Sequence, residues 1–135
     1  MTLSVLFSLN LMMPALGISI SNIKQASGQI YLGIYDSKAR FLKAEKACFK
    51  KIIPVTGTGT IDVDCTGLGP GTYAASCFHD LNGNGKLDTN FFGIPTEPYG
   101  FSNNARPKFR APRWEEAVFE LKETGSRISI RLEKW

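Results

Sequence analysis

Short segments in which apolar and polar residues alternate recur along this chain, and Gly, Pro and Asn separate them. Alternation with a period of two is typical of a strand that buries one face. The segments lie at residues 18–23, 29–35, 50–55, 60–65, 72–79, 117–121 and 127–132. About seven short strands without strand–helix–strand alternation predict an all-β fold, a single immunoglobulin-like β-sandwich with one long loop between strands five and six.

The length and charge of the chain indicate how many domains it forms and which class of partner it binds. Its 135 residues suit one domain with a hydrophobic core, and its formal net charge is +4. Lys and Arg gather at residues 38–51 and 106–113, which we interpret as solvated basic faces. No aromatic-interleaved nucleic-acid motif accompanies them, so we expect no nucleic-acid partner.

The first 17 residues are uncharged and largely apolar, and they end in Pro14-Ala15-Leu16-Gly17. The run is too short for a comfortable membrane span and resembles the apolar region of a secretory signal peptide with cleavage after Gly17. We therefore predict a signal-peptide remnant at 1–17, a β-sandwich domain at 18–135, and export to the periplasm or the extracellular space. No transmembrane span is expected in the mature chain. The alternative is that residues 1–17 belong to the folded domain.

The loop after the fifth predicted strand carries oxygen-bearing side chains at every second position. Asp80, Asn82 and Asn84 are followed by Gly85, and Asp88 comes three residues later. This is the first part of an EF-hand-type calcium loop, in which alternate side chains point inward and a Gly allows the sharp turn. The predicted ligands are the side chains of Asp80, Asn82, Asn84 and Asp88 with the backbone carbonyl of Lys86.

The loop departs from the EF-hand pattern at its twelfth position, where Phe91 replaces the bidentate Glu. Two carboxylates give a low ligand charge, so we expect weak calcium binding with a Kd on the order of 10⁻⁴–10⁻³ M. The alternative is a bare hairpin turn, because Asn-Gly is also a strong turn signal.

Four aromatic residues crowd into the second half of the loop, at Phe91, Phe92, Tyr99 and Phe101. If they were exposed, they would form an apolar patch typical of a binding surface. We expect instead that they fold back and plug one end of the sandwich, because a loop this long must pack on something.

Other candidate sites are less specific. His79 precedes Asp80, but adjacent residues on a strand point to opposite faces, so they make a poor catalytic dyad. No nucleophile elbow, phosphate loop or metal-binding histidine pair is present, and we do not expect an enzyme. A ligand-binding or hydrolytic neighbourhood of His79, Tyr99 and Arg106 remains an alternative. Another is binding of an anion or polysaccharide by the basic segment 106–113.

The three cysteines show no metal-site spacing. Cys65 and Cys77 share the inward parity of their strands, so we expect buried thiols, and Cys48 is expected to be exposed. The sequence assigns no disulfide pairing.

Several motifs together carry a family resemblance. They are Leu68-Gly69-Pro70-Gly71-Thr72-Tyr73, the loop from Phe78 to Asn90, Gly93-Ile94-Pro95, Glu97, and Tyr99-Gly100-Phe101-Ser102-Asn103-Asn104-Ala105. From about residue 18 onward the chain resembles the DUF2141 family of bacterial proteins. The resemblance implies an exported protein and no established catalytic residues. The Gly-Pro-Gly-Thr-Tyr turn is also similar to turns of prealbumin-like and carboxypeptidase-regulatory-like sandwiches, an analogy of fold only.

These observations favour an exported, non-catalytic module of the cell envelope with a weak calcium loop. Its expected partner is an envelope protein, a polysaccharide or a small ligand.

Overall fold

The computed structural model describes residues 13–135, which form eight β-strands in two sheets. The strands are β1 (Leu16–Ile23), β2 (Gln29–Tyr35), β3 (Phe49–Pro54), β4 (Gly59–Cys65), β5 (Gly71–Asp80), β6 (Tyr99–Phe101), β7 (Phe119–Leu121) and β8 (Ser126–Arg131). Within residues 13–135, helical structure is limited to the 3₁₀ turns Ala44–Lys46 and Ser102–Asn104 and the four-residue helix α1 (Trp114–Ala117). The all-β prediction is confirmed.

The two sheets have different pairing patterns. In the three-stranded sheet, β1 lies between β4, which is antiparallel to it, and β8, which is parallel to it. The five-stranded sheet runs β3–β2–β5–β6 with antiparallel neighbours, and β7 pairs with the first residues of β5. β6 and β7 therefore follow each other along the same edge of β5.

One hydrophobic core lies between the sheets. It combines Ile18 and Ile20 of β1 with Ile30 and Ile34 of β2, all of them fully buried. Buried and more exposed residues alternate along most of β2, β4 and β8, so one side of these strands faces the core and the other faces solvent. Such burial of two inner faces against each other is the architecture of a β-sandwich.

The structure corrects the strand count from seven to eight. The additional strand, β6, lies within the predicted long loop and pairs with residues 76–78 of β5. Pro98 precedes this three-residue segment and Gly100 lies at its centre, so its local sequence resembles that of a loop. The predicted strand 117–121 begins only at Phe119, because Ala117 belongs to α1. A helix of four residues is too short to show a helical period.

The strand pairings of β1 extend beyond the predicted start of the domain. β1 begins at Leu16, two residues before the predicted domain boundary, and Leu16 pairs with Cys65 and Ser126. Residues 1–12 of the predicted signal peptide lie outside the described residues, so the signal peptide stays a prediction. Between residues 13 and 135 no helix is long and apolar enough to cross a bilayer.

Candidate functional site

The candidate loop begins where β5 ends, at Asp80. The Asp80 side chain is fully buried, and its two oxygens accept N–H groups from Gly83 (3.1 Å) and Gly85 (2.8 Å). Both glycines have a positive φ, 76° and 75°, a conformation that other residues adopt only at a cost. Asp80 thus closes the turn from its inner side.

The other predicted ligands continue the same turn. The Asn82 side-chain oxygen accepts the Asn84 N–H (3.2 Å), and the Asn84 side-chain oxygen accepts the Lys86 N–H (3.0 Å). The side-chain amides of Asn82 and Asn84 both donate to the carboxylate of Asp88, the latter at 2.5 Å. The structure therefore joins Asn82, Asn84 and Asp88 in one network, on the turn that Asp80 closes.

The donor set is one of carboxylates and amides. Between residues 13 and 135, no three carboxylate, imidazole or thiol side chains come together at a spacing suited to a metal ion. A cation in this loop would need the amide oxygens of Asn82 and Asn84 and backbone carbonyls such as that of Lys86. Those are the hard oxygen ligands that calcium accepts.

Glu97 is a member of the site that the sequence analysis did not assign. Its side chain is only 4% exposed, and its carboxylate accepts the N–H of Leu81 (2.7 Å) and the N–H of Asp88 (3.0 Å). These two residues lie at the start and the end of the turn, so one carboxylate ties both together. A signal was present, because Glu97 is the only charged residue between Asp88 and Arg106.

The aromatic segment after the turn is built on Asp88. The Asp88 carbonyl accepts both the N–H of Thr96 (2.8 Å) and its hydroxyl (3.2 Å), and the Asn90 side chain accepts the N–H groups of Phe92 and Ile94. These bonds close a small hairpin that carries Phe91 and Phe92 at its tip.

The expected plug is wrong for the two phenylalanines at that tip. Phe91 is 97% exposed and Phe92 is 82% exposed. Hydrogen bonds to Asn90 and Asp88 order the segment, and its half-buried apolar residues are Ile94 and Pro95 rather than the phenyl rings. Tyr99 and Phe101 are half-buried on β6.

His79 lies apart from Tyr99 and Arg106, the other two residues of the alternative ligand site. His79 is buried at 1% exposure, and its Nε2 donates to the Ser27 carbonyl oxygen at 2.6 Å. Tyr99 pairs with Phe78, so these two side chains share one face of the five-stranded sheet. His79 follows Phe78 on the strand, so its side chain lies on the opposite face from Tyr99. His79 instead lines a cavity of about 300 Å³ beside Leu132 and Glu133.

Tyr99 and Arg106 do contact each other. The Arg106 guanidinium carbon lies 4.1 Å from the centre of the Tyr99 ring, a cation–π geometry. Its Nη1 donates to the Tyr99 carbonyl (2.8 Å) and its Nη2 to the Glu133 carbonyl (2.6 Å). Arg106 therefore fixes β6 to the C-terminal segment.

The Ser-Asn-Asn segment after β6 has a structural role. The Ser102 side chain is fully buried, and its hydroxyl donates to the Ala117 carbonyl (2.5 Å) and accepts the Ala75 N–H (2.9 Å). Asn103 bonds the Val118 carbonyl, so this segment joins β5 to the chain around α1.

The burial of Cys65 and Cys77 agrees with the alternation of buried and exposed residues along their strands. Cys65 and Cys77 are buried and Cys48 is exposed, as predicted. Burial raises the pKa of Cys77 to about 12 and that of Cys65 to about 11. Such thiols are poor nucleophiles near neutral pH.

A two-sheet β-sandwich whose fifth strand delivers an Asx-rich turn thus defines the class of this protein. A sequence profile of the DUF2141 family, described as uncharacterized proteins conserved in bacteria, matches residues 18–129. The chain belongs to this family. Comparison with curated proteins finds no significant match, and comparison with solved structures finds none either.

Proposed function

We propose that this protein is an exported, non-catalytic β-sandwich module that binds calcium weakly through the turn 80–88. The observation that carries the proposal is the network of Asn82, Asn84 and Asp88 on a turn closed by Asp80. Export is proposed from the uncharged apolar start of the chain, and an envelope role from the family resemblance.

Flipping the side-chain amides of Asn82 and Asn84, which releases their bonds to the N–H groups of Asn84 and Lys86, would adapt this network to a cation. Asn82 and Asn84 turn their amide nitrogens to Asp88, and rotating each amide by half a turn would present its oxygen instead. Asp80 and Asp88 supply the two negative charges, and the Lys86 carbonyl would supply a neutral oxygen. This low ligand charge supports a Kd on the order of 10⁻⁴–10⁻³ M, the range of extracellular calcium modules.

Calcium binding would also order the surface beside the turn. Thr96 anchors the hairpin that carries Phe91 and Phe92, because its N–H and its hydroxyl both donate to the Asp88 carbonyl. An ion held by the Asp88 side chain would restrict that hairpin, so the proposed role of calcium is to fix a binding surface rather than to catalyse a reaction.

The test is a thermal melt of the purified chain in calcium and in excess chelator, with Asp88→Asn as the site variant. Ligand at ten times its Kd stabilises the folded state by about 1.4 kcal/mol, a rise in Tm of roughly 3–6 °C for a domain of this size. We expect this rise in the parent chain and its loss in Asp88→Asn.

The matched control is Asp64→Asn, an exposed aspartate on β4 in the other sheet. It should retain the full calcium-induced rise. A parent chain whose Tm does not change up to about 10 mM calcium, above the range of extracellular modules, would leave the turn as a hairpin held by its own hydrogen bonds.

A further inference from the structure

An exposed aromatic surface lies next to the candidate loop. Its groove, of about 380 Å³, is lined by side chains from three separate segments, among them Phe92, Tyr99, Phe109 and Trp135. We call this surface the aromatic groove. Phe91 adjoins it, with its ring 5.6 Å from that of Phe92.

Exposure of these rings is costly. Phe91, Phe92 and Phe109 are 97, 82 and 84% exposed, whereas a single buried Phe stabilises a fold by about 1.5–3 kcal/mol. Phe109 also has a φ of 65°, a left-handed conformation that costs a bulky residue about 1–2 kcal/mol. Neither exposure nor strain at Phe109 helps the fold, so both point to a role in contact with a partner.

The charge around the groove is positive. Residues 98–114 contain four basic residues and no acidic one. Two of these, Arg106 and Arg110, are held by Glu133 and Glu116. Among residues 13–135, Lys108 and Lys134 have no acidic side chain within ion-pair distance, and they line a second cavity of about 430 Å³ beside Trp135.

We propose that the aromatic groove docks on an anionic lipid surface, with Phe91, Phe92 and Phe109 entering the headgroup boundary. Lys108 and Lys134 would face the lipid phosphates. Exposed Phe and Trp beside Lys and Arg are the side chains that hold proteins at membrane interfaces.

The ring chemistry favours a lipid surface over a polysaccharide. The three most exposed rings, Phe91, Phe92 and Phe109, are phenyl rings, which have no hydrogen-bonding group to orient a sugar. The exposed rings are also paired edge to face, Phe91 with Phe92 and Phe109 with Trp135 at 5.4 Å, rather than spread as a flat platform.

The inference is only partly dependent on the proposed calcium site. Calcium would order the hairpin of Phe91 and Phe92, but Phe109 and Trp135 belong to other segments. Vesicle binding measured in chelator therefore tests the lipid surface alone, and the melt in calcium tests the ion site alone.

The experiment is co-sedimentation of the full chain with phosphatidylglycerol–phosphatidylcholine vesicles and with pure phosphatidylcholine vesicles. Binding is expected to the anionic vesicles, and 0.5 M salt should weaken it because screening shortens the range of the charges. At about 1 kcal/mol per basic side chain, Lys108→Gln with Lys134→Gln should weaken binding about 25-fold.

Phe109→Asn is the most discriminating variant. Asn tolerates the left-handed conformation, and this offsets the lost ring contact with Trp135, so melts should show little change in stability while vesicle binding falls about tenfold or more. The matched controls lie on β3 on another surface: Ile52→Ser removes an apolar side chain that is 51% exposed, and Lys50→Gln with Lys51→Gln removes two exposed charges. These controls should bind vesicles like the parent.

Three results would overturn the proposal. One is equal sedimentation with anionic and neutral vesicles, or none with either. Another is binding of soluble polygalacturonate by the parent without binding of vesicles. The third is a concentration-dependent dimer that dissociates in Phe109→Asn, which would make the groove an interface between two copies of the chain.

Discussion

Replacing Glu97 tests how the candidate turn is held together. Its two carboxylate oxygens each accept a backbone N–H, from Leu81 at 2.7 Å and from Asp88 at 3.0 Å, and the side chain is only 4% exposed. Gln in the same place offers one oxygen and one NH₂ group. One of the two N–H donors would then face another donor.

The expected cost follows from those two bonds. Hydrogen bonds to charged groups contribute about 1.5–3 kcal/mol each, and a buried donor without a partner costs about 1–3 kcal/mol. Because both bonds are partly exposed, Glu97→Gln should lower the free energy of unfolding by about 2–4 kcal/mol. Glu97→Ala, which leaves both donors without this acceptor, should cost at least as much.

Urea denaturation with an unchanged m value would measure the difference. The control is Glu120→Gln on β7, an exposed glutamate whose replacement should cost less than about 0.5 kcal/mol. A cost for Glu97→Gln as small as that of the control would refute the view that one carboxylate joins both ends of the turn.

Two further predictions concern packing and thiol access. Gly28 has a φ of 68°, and a Cβ there would lie 2.1 Å from the Asp80 carbonyl oxygen. Gly28→Ala should therefore lower the free energy of unfolding by about 2–5 kcal/mol in urea denaturation. Gly57→Ala is the control and should be nearly neutral, because a Cβ at Gly57 meets nothing within 4 Å. At pH 8 a thiol reagent should label Cys48 first, because burial raises the pKa of Cys77 to about 12 and keeps that thiol protonated. Equal labelling rates for the two thiols in the native protein would contradict the burial of Cys77.

The sequence predicts which side chains of a strand face the core, because this depends on the local alternation of apolar and polar residues. On β4, Asp62 and Asp64 face outward while Val63 and Cys65 enter the core. The turn at Asp80 was predictable for the same reason, since each side-chain oxygen bonds an N–H a few residues further along the chain.

Features that depend on distant contacts were not predictable. Glu97 acts on Leu81, sixteen residues away, and only the folded chain brings them together. β6 exists because Tyr99 and Phe101 meet β5, not because the segment favours a strand. The exposure of Phe91 was missed because hydrogen bonds to Asn90 can order that hairpin without burying its rings.

The most direct test of the calcium site is a calcium titration of the ¹⁵N-labelled chain followed by NMR. We expect saturable shifts of the Gly83 and Gly85 amides, with a Kd of about 0.1–1 mM, and we expect these shifts to be lost in Asp88→Asn and kept in Asp64→Asn. Shifts that do not saturate by about 10 mM, above the range of extracellular calcium modules, would contradict this expectation. So would shifts that spread over exposed carboxylates such as Asp64 instead of the turn.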